Sequence, residues 1–522
     1  MDSDIVLFWF VVVVGLSGAI GVARRARSVG AGWIIVFVAV LAVDMAGWAW
    51  NHGLIYAAFA MWILFVMIPG LLSRVYYQRL LQQRYSDALR WARWVSWLHP
   101  ADGWREQIDI IRALEQAQRG EVTQAMAALE RFQKIKSLVG LVAVANLYRI
   151  TNRWEEFRDW AAHNERELGR HPQLLPTLLR ARGETGDLQG LSDLYARHQK
   201  QIGKMVPMAS RDLCRLLLFA FGGSRPLVER LLAGSLAMLP EPTRQFWLAT
   251  ADLASGNVES ARTQLERLLP AADPPMRLAI ERRLSRMSMP PPGSDPNLEY
   301  LVSTVGFEHR HDELFGAQPS LFSRHGRLTR SLIALNILVF CAEIYYGGST
   351  NLETLHQLGG LFPPAVRAGQ WWRLVASLFL HYGPAHLAMN MFGLWVLGPF
   401  VEFALGAWRF LLVYLVAGIG SMALVMALAS GPAGEQLTVG ASGCIMGLVG
   451  ATGAVMLRGW LREKALSARR RLLLVAIILL MQSLFDLIVP HVSMAAHLSG
   501  TLLGFLTTLV LADRLKVVGS KR

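Results

Sequence analysis

Ser442 lies between Gly440 and Gly443 in TVGASGCIMGLVGA, residues 438–451, a stretch otherwise apolar enough to enter a membrane. Small residues serve helix packing in such segments, so a lone serine there is ordinary. It becomes a nucleophile only with a base in reach. A base opens the last apolar run, SMAAHLSGTLLGF (493–505), as His497. Both segments carry glycines four apart, Gly443 with Gly447 and Gly500 with Gly504, which line one helix face and permit close backbone approach. If those faces meet, His497 can take the seryl proton. A further polar pair, His386 and Asn390, is spaced i, i+4 in HYGPAHLAMNMFGLWVLGPFVE (381–402) and shares a helix face. Both can donate to an oxygen that gains charge in acyl transfer, as can the Ser442 N–H near a helix N-terminus. Each cluster alone also reads as helix-to-helix glue. Three of them at one depth, on three helices, point to a catalytic centre.

The elements that must hold these residues are membrane helices. The 522-residue chain is 53% hydrophobic and 17% charged, with a positive mean hydropathy of +0.33. Apolar runs fall at 5–22, 32–50 and 54–73, and again at 331–347, 385–402, 409–429, 440–457, 472–489 and 493–512. Each is near the ~20 residues that a bilayer requires. The start, MDSD, lacks a basic n-region, so the first run is expected to stay in the mature protein. Cys214, Cys341 and Cys444 lie far apart, which argues against a disulfide framework and a zinc site. No metal or cofactor is expected.

Basic residues orient the spans. ARRARS (23–28), SRVYYQRLLQQR (73–84), RGWLREKALSARRR (458–471) and the final RLKVVGSKR all fall on one side if the N-terminus is outside. The opposite connections, NHG (51–53), 348–384, SGPAGEQLT (430–438) and PHV (490–492), carry few. The expectation is nine spans, N-terminus outside and C-terminus cytoplasmic, in a cell membrane. The Ala/Arg/Leu-rich composition suits a bacterial cytoplasmic membrane. The net charge of +14 is then an orientation signal, with anionic lipid as a further contact, and no nucleic-acid partner is expected. Ser442 and His497 both fall just inside the outer ends of their spans. Asp44 is another carboxyl in a span, expected to snorkel or hydrogen-bond near the outer interface. Asp486, near the outer end of 472–489, can influence His497 or cap that end.

Between the two groups of spans, 75–290 has few strand-like alternations and shows a repeat. RGEVTQAMAALERF at 119, TNRWEEFRDWAAH at 151, TGDLQGLSDLYAR at 185 and SGNVESARTQLERL at 255 align on Gly120, Asn152, Gly186 and Gly256. These lie 32, 34 and 70 residues apart, and GGSRPLVERLL near Gly222 fills the double gap. A period near 34 resembles degraded tetratricopeptide-like helical hairpins, a family whose concave surface commonly binds a peptide or protein partner. A plain spacer between membrane parts is the other reading. MSMPPPGSDP (287–296) ends the array, since prolines stop helices.

The segment 330–513 resembles the rhomboid intramembrane serine proteases. The motifs are Trp372–Arg373 in the first loop, HxxxN (His386, Asn390), GxSG (Gly440, Ser442, Gly443) and AHxxG (Ala496, His497, Gly500), in order on six spans. The resemblance covers about a third of the chain. It implies a Ser442–His497 dyad without an acidic third member, and an oxyanion site of His386, Asn390 and the Ser442 amide. Structural roles are implied for His381 and for Glu402. Four residues after the nucleophile the family usually has an aromatic against the catalytic histidine. Met446 stands there, so His497 is expected to be less firmly held, although a thioether packs acceptably on an imidazole.

The expected fold class is all-α: an N-terminal three-span domain (1–74), a cytoplasmic helical repeat domain (75–290), a linker (291–329), a six-span protease domain (330–513) and a basic tail (514–522). The expected substrates are transmembrane segments that partly unwind, with small residues at the cleaved bond and helix breakers beyond. A catalytically silent, client-binding or scaffolding relative is the alternative. A transporter is disfavoured, because no inverted repeat is visible.

Overall fold

The computed structural model describes residues 3–23, 31–133, 137–205, 208–288, 295–315, 326–429, 436–488 and 493–512. The basic segment after residue 23, the prolines of 289–294, the loop 430–435, the PHV turn at 490–492 and the tail 514–522 lie outside them. The described chain is all-helical. Its one β-type pairing is an isolated antiparallel bridge, Leu361 with Thr438. It divides into two compact units, Phe8–Phe307 and Glu308–Arg522, the latter with Met1–Leu7.

Three apolar helices come first: α1 (Ser3–Ala23), which the division crosses after Leu7, then α2 (Ala31–Ala49) and α3 (Gly53–Leu81) of the first unit. Glycines thin the contacts: a Cβ on Gly18 would meet the Phe37 ring, and one on Gly47 would meet Ile55. Pro69 cannot donate to the carbonyl one turn back, and α3 passes through a π-turn, Ile63–Met67, just before it. The Phe65 carbonyl is 2.8 Å from His99 Nε2; His99 Nδ1 lies 3.0 Å from Asp102 Oδ2, and Asp102 Oδ1 accepts from Gly32 N at 2.8 Å. A buried polar chain thus joins the start of α2, the π-turn of α3 and the 99–102 loop. Asp44 on α2 departs from expectation. It is fully buried, and neither carboxylate oxygen has a hydrogen-bond partner among the described residues, so it neither snorkels nor pairs.

After α4 (Tyr85–Leu98) come helical hairpins: α5 (Trp104–Gln118) with α6 (Val122–Glu130), α7 (Leu138–Ile150) with α8 (Trp154–His163), α9 (Leu175–Glu184) with α10 (Leu188–Ile202), α11 (Met208–Phe221) with α12 (Arg225–Ala233), and α13 (Glu241–Ala254) with α14 (Val258–Leu268). Their turns are made by Gly120, Asn152, Gly186, Gly223 and Gly256, all at positive φ. Glycine reaches that region freely and asparagine is the commonest substitute, which is why the repeat is legible at those residues. The fourth turn is at Gly223, one residue beyond the aligned Gly222. The next helix, α15 (Pro274–Ser285), lies along the turn ends of the first three hairpins. Gln118 Nε2 reaches Asp273 Oδ2 at 3.4 Å, Asn152 Nδ2 donates to Leu278 O at 3.0 Å, and Arg282 and Arg286 both engage Glu155. That edge of the array is covered by the chain's own helix. Leu298, Val302 and Val305 of α16 (Pro296–Phe315) join the core of the later hairpins.

The second unit holds α17 (Arg327–Tyr345), α18 (Gly383–Leu405), α19 (Ala407–Leu428), α20 (Ser442–Glu463), α21 (Leu466–Ile488) and α22 (Met494–Ala512). Seven helices among the described residues are long and apolar enough to cross a membrane: α2, α3, α17, α18, α19, α20 and α22. Of the nine expected spans, 5–22 and 472–489 also form helices, α1 and α21. Within α1 the apolar stretch is the shorter Leu7–Ala19, and α21 opens on Arg469, Arg470 and Arg471. Outward-facing Leu473, Leu474, Ile477, Leu480 and Leu487 give α21 an apolar surface suited to lipid. α20 is the central helix: 72% of its span is buried, against 28–39% for α17, α18, α19 and α22. The serine therefore starts the most enclosed helix of the unit.

Candidate active site

Ser442 is the first residue of α20 and half-buried. The first backbone N–H groups of a helix have no intrahelical acceptor and point at whatever lies beyond the end. The chain reaches this end through a pinned segment. Thr438 and Leu361 exchange two backbone hydrogen bonds of 2.9 Å, and Gly440 N donates to Ser377 O at 2.9 Å. Gly440 has φ +131, and a Cβ there would stand 2.8 Å from His386 Cε1 and 2.9 Å from its Nε2. Only glycine lets the imidazole lie against the backbone that leads into Ser442.

Four glycines fix how α20 meets α22. A Cβ on Gly500 would fall 2.3 Å from the Gly443 carbonyl oxygen, and one on Gly504 2.1 Å from that of Gly447. On the flank of α20 toward α19, a Cβ on Gly447 would collide with the Ala417 methyl at 2.2 Å, and one on Gly443 with the Ser421 hydroxyl at 2.1 Å. Backbone-to-backbone contact of this kind is what small-residue spacing permits in membrane helices. It brings the segment that begins at Ser442 against the segment that contains His497.

His497 is buried on α22, and its Nδ1 lies 2.9 Å from both carboxylate oxygens of Asp486 on α21. Gln482, one turn earlier on α21, donates from Nε2 to Asp486 Oδ1 at 2.8 Å. Among the described residues no hydrogen bond joins Ser442 to His497, as is common where catalytic contacts tighten only with substrate present. Asp486 had two sequence readings, influence on His497 or a cap. The geometry is that of the first. Met446 packs with Val449, Val475, Leu397 and Leu479. His497 is thus held by a carboxylate, where the sequence suggested a ring anchored only loosely.

His386 begins the polar face of α18. The Tyr382 N–H points to its Nδ1 at 3.3 Å, which makes Nδ1 the acceptor and leaves Nε2–H as a donor beside Gly440. His381 stacks edge-on against it with ring centroids 5.3 Å apart, and His381 N donates to Glu343 Oε1 at 2.9 Å. Asn390 is buried on the same face and spends one amide hydrogen on His386 O at 3.0 Å. The first loop is built around Arg373. Its guanidinium donates to the carbonyls of His356 and Gly360 at 2.7 and 2.9 Å and to Gln370 Oε1 at 2.6 Å. Trp372 beside it covers Gly359, where a Cβ would stand 2.2 Å from the indole ring. Glu402 works at the opposite end of α18. It accepts from Leu328 N, Thr329 N and Thr329 Oγ1 at 3.1, 3.0 and 2.8 Å, and so caps the start of α17.

Fold and site define a class: all-helical, multi-pass membrane proteins with a serine and a histidine at one end of a glycine-packed helix pair. The rhomboid domain family matches residues 368–514. The rhomboid protease GluP of Bacillus subtilis (strain 168) is 37% identical over 182 residues, 34% of this chain and 33% of that protein. RHOMBOID-like protein 5 of Arabidopsis thaliana is 33% identical over 195 residues, 37% of this chain and 58% of that protein. A putative rhomboid protease, YdcA of Bacillus subtilis, is 34% identical over 149 residues, 28% of this chain and 71% of that protein. The chain belongs to the rhomboid family. It spans about a third of the length of the first relative and just over half of the second.

Proposed function

We propose that the protein is an intramembrane serine endopeptidase that cuts transmembrane segments near the outer membrane face with Ser442 and His497. The observation that carries this reading is the interlock of Gly443 with Gly500 and Gly447 with Gly504, which sets the two helices together at the end where both residues lie. Ser442 Oγ attacks the scissile carbonyl carbon while His497 Nε2 accepts its proton. The oxyanion is met by His386 Nε2–H, the free amide hydrogen of Asn390 and the Ser442 N–H. His497 returns the proton to the departing amine as the C–N bond breaks. Water, deprotonated by His497, then releases the acyl group. A substrate helix has to unwind at the cut, because its carbonyl is otherwise tied to its own backbone. Small residues at the bond and helix breakers beyond it ease that step.

In this reading the C-terminus and the hairpin array face the cytoplasm, in a bacterial cytoplasmic membrane, and 1–74, 75–290 and 330–513 act as separate domains. The hairpins, with left-handed turns about 34 residues apart, support a tetratricopeptide-like array with a peptide or protein partner. Such a partner engages a surface other than the turn edge along which α15 lies.

Cleavage of a generic transmembrane segment in liposomes, by the native chain and by Ser442→Ala and His497→Ala, tests the activity. Loss in both variants with folding retained is expected. A native chain that cuts nothing and fails to react with a fluorophosphonate removes the peptidase reading and favours client binding.

A further inference from the structure

We propose that α4 is an interfacial helix that docks the start of the hairpin array onto anionic lipid. Arg74, Arg90 and Arg93 meet the headgroups, and Trp94 and Trp97 sit just inside them. The inference is independent of the peptidase reading and concerns the first unit alone. One face of α4 is buried through Ala88, Leu89, Ala92 and Val95, which share a core with the first hairpin. The opposite face carries Arg90, Arg93, Trp94 and Trp97 at i, i+3, i+4 and i+7, all of them exposed, Trp97 to 75%. Indoles this open to water forgo a large apolar burial. A membrane boundary restores it, with the ring among acyl chains and the N–H among polar groups.

Two ties fix the depth of this face. At the start of α4 the turn from α3 is closed by Arg84 N on Arg79 O at 2.9 Å. At its end, His99 Nε2 lies 2.8 Å from Phe65 O within the apolar part of α3, and the ring stacks on Trp33 of α2 at 4.3 Å. Between these ties α4 packs back along α3. Counted from them, Arg90 lies about level with Arg74, Arg93 with Leu72, Trp94 with Leu71 and Trp97 with Ile68. Met67 and Leu71 are exposed on α3 at the depth of the two indoles, and the apolar run of α3 gives out at Ser73 and Arg74. The tryptophans thus share the level of lipid-facing side chains, and the arginines the level where the span ends. Among the described residues none of the three arginines makes a hydrogen bond or ion pair, and Asp87, the one carboxylate of α4, is taken by Arg84 at 2.6 Å. Three unpaired guanidinium groups at that level complement lipid phosphates. Docked there, α4 holds the first hairpin at a set height above the bilayer. A second copy or another protein on the same face is the rival occupant.

The test uses the full chain in vesicles of phosphatidylcholine, alone or with an equal part of phosphatidylglycerol. A nitroxide is attached at Trp97→Cys in a Cys341→Ala background, where the remaining cysteines, Cys214 and Cys444, are buried. Leu71→Cys serves as the lipid reference and Glu259→Cys, on α14, as the aqueous one. The label at 97 should collide with oxygen in preference to a water-soluble nickel chelate, as at 71 and unlike 259. Free access of the chelate at 97 overturns the proposal. A label shielded from both also overturns it, in favour of protein on that face. Hydrogen exchange in 85–98 reads the charge contribution, since α4 must leave the lipid to open. Phosphatidylglycerol should add protection that weakens as salt rises. Arg74→Gln, Arg90→Gln and Arg93→Gln should each cut that gain about fivefold, the equivalent of one arginine at an anionic surface. Equal protection of the native chain in the two lipids overturns the anionic-lipid assignment.

Discussion

Gly504 and Gly447 meet so closely that a single methyl on Gly504 would lie 2.1 Å from the Gly447 carbonyl oxygen. No rearrangement of a flexible side chain can absorb that, because the obstacle is backbone. Gly504→Ala must push α22 away from α20, and with it His497 from the start of α20.

The expected result for Gly504→Ala is a cost of about 1–3 kcal/mol in stability, typical of an overpacked core, and a larger loss of cleavage than of stability. A displacement near 1 Å at reacting atoms costs on the order of 10²-fold in rate. Gly453→Ala is the control, since a Cβ there meets nothing nearer than 3.4 Å. Melting in detergent and liposome cleavage, measured together, check the pair. Equal activity in both variants would show that the interlock does not position the site.

This much of the site was legible in the sequence. Paired i, i+4 glycines dictate close packing where two helices both carry them, as those of Ser442 and His497 do, and the i, i+4 spacing of His386 and Asn390 puts both on one helix face. The Asp486–His497 contact was legible only as one of two readings, the other being a cap of the helix end. It depends on the rotation of α21 about its axis, and the sequence between Asp486 and His497 does not encode that angle. Likewise a 34-residue period reveals the hairpins through their left-handed turns. Nothing in that period announces that α15 will run along them. Asp44 escaped for a related reason: span prediction places it in depth but not in azimuth, and its azimuth points it inward.

His386 should act on the transition state and little on binding. Its Nε2–H is fixed as a donor by the Tyr382 amide on Nδ1 and lies against Gly440. His386→Ala should lower kcat by about 10²- to 10³-fold, as removal of one oxyanion donor does, with KM changed far less. Gly440→Ala should do similar damage by displacing the ring. Steady-state kinetics on both variants check this. A rise in KM alone would assign His386 to substrate binding.

Glu402 closes the opposite end of the membrane unit. It satisfies two backbone N–H groups at the start of α17 and the Thr329 hydroxyl, and it is buried. Removing it strands buried donors, each costing about 1–3 kcal/mol. Glu402→Ala should therefore lower the melting temperature markedly, and Glu402→Gln, which keeps one carbonyl acceptor, should lower it less. Thr329→Val removes only the hydroxyl and should fall nearest the native protein. Because Glu402 lies far along α18 from His386, residual folded protein should keep its pH profile. A shifted profile would place Glu402 in the chemistry.

The clamp of α15 on the hairpins should loosen in acid. Burial alone would raise the pKa of the Glu155 carboxyl. The hydrogen bond from Arg282, a backbone N–H and the charges of Arg282 and Arg286 outweigh it, and the pKa lies below the ordinary carboxylate value. A depressed folded-state pKa contributes stability that is fully present above the unfolded value, about 4.3, and is lost as pH falls through the lower folded one. Hydrogen exchange in 274–288, corrected for intrinsic rates, should show protection that holds from neutral pH down to the carboxylate range and drops below it. Glu155→Gln should lower protection at neutral pH and flatten the acid dependence, while Glu259→Gln, on an exposed pair with Arg262, should change neither. If the native chain keeps its α15 protection unchanged below the carboxylate range, the Arg282–Glu155–Arg286 cluster is not what holds α15 along the turns.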